Sequence, residues 1–170
     1  MNGNLTGTLA IDLGNTNTVL AFQSETERDP ILIDLPHITS KPGVVPTAIW
    51  YEPENNRLAI GVEALNLMNK INEEKYFYSN FKRLIGNSYE QFKSKQLNPE
   101  ESGKKFFRVL WSNLTPNLII KRLVLTSPID TYKNYRNWLI DICNNLPIEE
   151  IALVDEPTAA GIGTSVPFAS

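Results

Sequence analysis

Apolar residues are grouped in short runs, and their spacing changes along the chain. Leu9 to Leu13 and Thr18 to Phe22 each read as a buried strand, with only Gly14 to Asn17 between them. Turn-forming Gly and Asn between two apolar runs predict a β-hairpin with a short loop. Ile31 to Leu35 predicts a third strand, completing an antiparallel meander. Pro36, Pro42, Gly43 and Pro46 then break the chain into a loop. Ala48 to Tyr51 and Arg57 to Ile60 predict a small hairpin around Glu52 to Asn56. Val62, Leu65 and Met68 have helical spacing within Val62 to Lys70.

Tyr76 to Ile85 predicts a second short helix stopped at Gly86, because glycine at C′ tolerates positive φ. Asn98-Pro99-Glu100-Glu101 is a helix start, with Asn as N-cap, Pro at N1 and acids in the first turn. The helix that follows carries Phe107, Leu110, Trp111 and Leu114 as a core stripe. Leu123 to Leu125 predicts a strand ended by Ser127-Pro128. Tyr132 to Leu146 predicts an amphipathic helix with Tyr135, Trp138, Leu139, Ile142 and Leu146 facing inward. Glu150 to Val154 predicts a last buried strand. Strand, helix and strand in that order imply a parallel pair joined by a right-handed crossover. A meander extended by parallel strands with flanking helices is the α/β, ribonuclease-H-like half of an actin-type ATPase fold. Ligands of such sheets sit beyond the carboxyl ends of the strands.

Asp12 falls at that edge, beside Gly14. A tight turn lets backbone N–H groups converge on an anion, and glycine removes the side chain that would block close approach. Thr16 and Thr18 offer hydroxyl donors. A carboxylate would repel phosphate alone, so Asp12 makes sense there with Mg²⁺ bridging the two through water. An ordinary hairpin turn accounts for the same residues.

Composition narrows the ligand classes. The 170 residues are 42% hydrophobic, enough for one compact domain with a real core. The net charge of −3 comes from both signs scattered along the chain, without the basic stripe that nucleic acid requires. No apolar run approaches the roughly 18 residues of a membrane span, and MNGNLTG lacks the regions of a secretory signal. A single cysteine, Cys143, excludes an internal disulfide and suits a reducing interior. The expectation is a cytoplasmic chain with no nucleic-acid or membrane partner. Cys143 itself reads as a small buried hydrophobe. His37, the only histidine, has no ligand partner at metal spacing. Tyr76, Phe77, Tyr78, Phe106 and Phe107 read as core or interface, not as base-stacking surface.

Five segments share one resemblance. IDLGNTNTVLAF (11–22) resembles the first phosphate motif of the actin, sugar kinase and heat-shock ATPase superfamily. NFKRLIG (80–86) resembles the lysine-bearing segment of DnaK-type (heat-shock protein 70) molecular chaperones, and LNPEE (97–101) the start of the helix that follows it. LVLTSPIDTY (123–132) resembles the family's strand ending in Val-Pro, and VDEPTAAGIG (154–163) its Asn-Glu-Pro-Thr-Ala-Ala motif.

The resemblance implies an ATP/ADP-binding, stress-response chaperone domain with Mg²⁺. Asp12 would hold the metal through water, and Gly14, Asn15, Thr16 and Asn17 would cradle the β/γ-phosphates. Lys82 would bring positive charge to the γ-phosphate and attacking water. Glu156 would help order metal and water, also without direct ligation; a carboxylate there also suits a helix N-terminus. Pro128 matches a switch proline and equally a strand terminator, and Arg83 matches the arginine beside the lysine. Partners of the parent would be unfolded polypeptide clients and co-chaperones.

Some positions depart from the family. Asp130 stands in place of an aromatic, Asn17 often does too, and Ser127 replaces Val. The segment 40–98 reads as a reduced inserted subdomain. The family continues beyond this point into a second phosphate motif, a second lobe and a peptide-binding domain. The 170 residues alone are therefore expected to bind nucleotide weakly at most, with negligible turnover, because two lobes are needed to enclose ATP. Two other readings compete. DLGNTNTV resembles the first loop of type III pantothenate kinases, which are small-metabolite kinases. The shortened middle segment and substituted positions also suit a degenerate actin-like interaction module.

Overall fold

The computed structural model describes residues 4–86, 96–127 and 133–155. The hairpin forms as its pattern predicts: β1 (Leu5–Leu13) pairs antiparallel with β2 (Asn17–Ser24), Leu13 opposite Thr18. β3 is only Ile31–Leu32, paired at the far end of β2. Val44–Pro46, expected as loop, forms β4 against the start of β2, with Pro46 opposite Asn17. Proline is tolerated there because it closes a strand at the edge of the sheet.

β8 (Leu118–Ser127) lies parallel to β1, and β9 (Glu150–Asp155) parallel to β8. The main sheet therefore runs β3-β2-β1-β8-β9, with β4 beside β2. It is a mixed sheet in an α/β chain whose described residues form three α-helices, α1 (Gly61–Ile71), α2 (Pro99–Ser112) and α3 (Lys133–Cys143). Leu9, Ile11, Leu13, Leu20, Phe22, Leu123 and Leu125 alternate onto one face and are nearly inaccessible. Phe106, Phe107 and Leu110 of α2, and Tyr135, Leu139 and Cys143 of α3, join them in one core. The capping box is complete: Asn98 Oδ1 accepts from the Glu101 amide at 2.8 Å, and Glu101 Oε2 from the Asn98 amide at 3.0 Å. α2 approaches Trp138 at Gly103, where a Cβ would lie 2.4 Å from the indole.

A second sheet of three antiparallel strands forms within 48–79, in the order β6-β5-β7: β5 (Ala48–Glu52), β6 (Arg57–Ile60) and β7 (Phe77–Ser79). The helix expected over Tyr76–Ile85 is absent. Phe77–Ser79 instead adds a strand to β5, with Ala48 opposite Ser79, and Phe81–Leu84 forms a 3-10 turn. Aromatic residues favour a half-buried strand, and the open edge of β5 supplies the partner that local propensity ignores. Gly86 does take positive φ, 85°, after this turn instead of after a helix.

No helix among the described residues is long and apolar enough to cross a membrane.

Candidate phosphate-binding site

Asp12 is the penultimate residue of β1 and its carboxylate is exposed at the carboxyl edge. Alternation explains this: Ile11 and Leu13 point into the core, so Asp12 faces the opposite side of the sheet. Its Oδ1 accepts a hydrogen bond from the Thr126 hydroxyl of β8 at 2.5 Å. Asp12 and Thr126 also line a groove of about 300 Å³ with Ala10, Val19, Ala21 and Val124.

The turn is tight. The Gly14 amide donates to the Asp12 carbonyl at 3.0 Å. A Cβ on Gly14 would lie 2.1 Å from the Asn17 carbonyl oxygen, so this backbone path requires glycine. Thr16 and Asn17 are exposed at the tip and Asn15 is half-buried. Thr18, read above as a further donor to a ligand, is fully buried. Its hydroxyl meets that of Thr47 at 2.9 Å, which removes it from any ligand surface.

Besides this hydroxyl pair, two contacts tie the hairpin to the second sheet. The Thr47 amide donates to the Thr16 carbonyl at 2.8 Å. Asn15 Nδ2 donates to Asn80 Oδ1 at 2.7 Å. Asn80 has left-handed φ, 56°, and precedes the 3-10 turn that carries Lys82 and Arg83. Lys82 is half-buried, its ammonium 5.7 Å from the centroid of the Tyr135 ring at the start of α3. The turn bearing Lys82 is thus joined to the hairpin through its N-cap residue, although 65 positions separate Asn15 from Asn80. Arg83 is exposed. Glu156, Pro128 and Asp130 lie outside the described residues.

The residues fit Mg²⁺ held through water better than a protein-built metal cage. One exposed carboxylate stands beside the turn, and no group of three or more potential His, Cys, Asp or Glu ligands occurs among the described residues. Sequence reasoning missed Asn80, Thr47 and Thr126. Asn80 opens the lysine-bearing segment 80–86, but its use depends on a contact that local sequence does not encode.

Neither a protein-family model nor a curated protein matches the chain.

Proposed function

We propose that this chain is the N-terminal lobe of an actin-like, ribonuclease-H-like ATPase domain from a divergent DnaK-type chaperone. The hairpin Asp12–Thr16 receives the phosphates of Mg-ATP, and Asn17 borders it. The observation that carries this reading is the Asn15–Asn80 contact, which joins the glycine turn to the segment bearing Lys82. The strand order, three antiparallel strands continued by two parallel ones, supports the same lobe, with the small sheet as the reduced inserted subdomain.

Backbone amides at Asn15 and Thr16 supply neutral donors to an oxyanion, while the Gly14 amide, bonded to the Asp12 carbonyl, closes the turn that aims them. Asp12 accepts from water on the metal, and the Thr126 hydroxyl fixes the orientation of that carboxylate. Lys82 supplies positive charge where it develops on the γ-phosphate, with Glu156 as the second carboxylate acting through water. Mg²⁺, when bound, neutralises the phosphate oxygens. Hydrolysis, clients and co-chaperones belong to the parent, whose second lobe completes the enclosure. The kinase-like reading shares the loop but gives no role to the Lys82 turn.

The test is calorimetric titration of Mg-ATP into the wild type, Asp12→Ala and Lys82→Ala. Weak, magnesium-dependent binding reduced at least about tenfold in each variant is expected, since charge-assisted contacts are worth roughly 1.5–3 kcal/mol. Binding that neither substitution changes rejects the assignment. A robust single-turnover ATPase rate by the chain alone, lost in Lys82→Ala, rejects the expectation that a second lobe is needed.

A further inference from the structure

Residues 47 and 80 hold the hairpin from its two flanks. β5 and β7 pair Ala48 with Ser79, so Thr47 and Asn80 are the next positions outward in the same antiparallel ladder. Thr47 grips the hairpin through the Thr16 carbonyl, and Asn80 grips the side chain of Asn15. The small sheet therefore ends in a two-point clamp on the turn.

The Asn80 arm is unlike the Thr47 arm in two respects. Its residue stands at φ 56°, a conformation that asparagine tolerates better than other residues with a side chain, and that clusters at functional positions. It also stands at the N-cap of the 3-10 turn Phe81–Leu84, whose second residue is Lys82. Moving Asn80 relative to Asn15 moves the lysine relative to the Asn15 and Thr16 backbone amides.

The geometry points to Asn80 as a positioning residue: by clasping Asn15, it sets the separation between the hairpin amides and the Lys82 ammonium, and so the grip on a polyphosphate. This inference rests on the nucleotide reading above. The clasp also spends the Asn15 side-chain amide on protein, leaving the Asn15 and Thr16 backbone N–H groups to meet the anion.

Asn80→Gly removes the clasp while keeping the left-handed backbone accessible, so the turn itself can persist. In the ligand-free, ¹⁵N-labelled chain, backbone order parameters at Asn15 and Thr16 should drop towards the flexible range, below about 0.6, while β8 is unchanged. Mg-ATP and Mg-pyrophosphate should bind roughly three- to tenfold more weakly, the effect of one net hydrogen bond. In a Lys82→Ala background the same substitution should cost less than about twofold, because the clasp acts through the lysine.

A merely structural role would lower the melting temperature without this non-additivity in binding. Additive effects of Asn80→Gly and Lys82→Ala on binding overturn the inference and leave the nucleotide reading standing. If the wild type binds neither ligand, the nucleotide reading fails, and with it the role assigned to Asn80. The order parameters then decide whether the clasp rigidifies the turn at all, and unchanged values refute the clasp itself.

Discussion

The hydroxyl pair Thr18–Thr47 provides a quantitative check on how the hairpin is anchored. The two oxygens are 2.9 Å apart, and Thr18 and Thr47 are 0% and 2% exposed. Valine matches threonine in shape, so either single substitution leaves one buried hydroxyl without its partner. The expected cost is about 1–3 kcal/mol for each single variant, set by desolvation of the remaining hydroxyl. The double variant replaces both polar groups with apolar ones and should fall well below the sum, close to the wild type. At roughly 2–4 °C per kcal/mol for a chain of this size, each single should lower the melting temperature by roughly 2–12 °C. Urea unfolding followed by tryptophan fluorescence reads the change, with Trp50 buried in the second sheet as one reporter. The slope m should stay constant while the midpoint moves. Because the Thr47 amide and the Thr16 carbonyl are both main chain, the 2.8 Å bond between them survives either substitution. A double variant as unstable as the sum of the singles, or singles within about 0.3 kcal/mol of wild type, would refute the buried pair.

Asn98→Ala should destabilise the chain by about 1 kcal/mol, read by denaturant unfolding, because it removes one half of the capping box. Burial pushes the Cys143 thiol up to about 12 from its ordinary value of 9.0. The unfolded chain therefore loses its thiol proton first, so the Cys143-dependent part of stability is complete below about pH 9 and declines as pH rises towards 12. Comparing alkaline unfolding of the wild type with Cys143→Ala isolates that slope, and native Cys143 should resist iodoacetamide at pH 8 until the chain unfolds.

Several features were legible from local sequence because their causes are local. The glycine turn between two apolar runs set the β1–β2 hairpin, and the backbone path at Gly14 admits no Cβ. Asn98, Pro99 and Glu101 set the start of α2 through contacts within a single turn. The alternation of Leu9, Ile11 and Leu13 placed Asp12 on the opposite side at the strand end. Cys143 is as buried as its place beside an apolar stripe implied.

Pairing with distant chain decided the rest. Tyr76–Ile85 has helix-compatible spacing, yet the free edge of β5 draws Phe77–Ser79 into a strand, and Asn80 turns the chain with positive φ. Thr18 carries the same hydroxyl as Thr16, but Thr47 buries one and leaves the other at the surface. The sequence by itself determined where the glycine turn stands and which carboxylate borders it, since both follow from short-range geometry and strand alternation. Only the tertiary structure decided that Asn15 meets Asn80 and that Thr126 holds Asp12, at separations of 65 and 114 residues. Such contacts depend on register between separate strands, which no local pattern specifies.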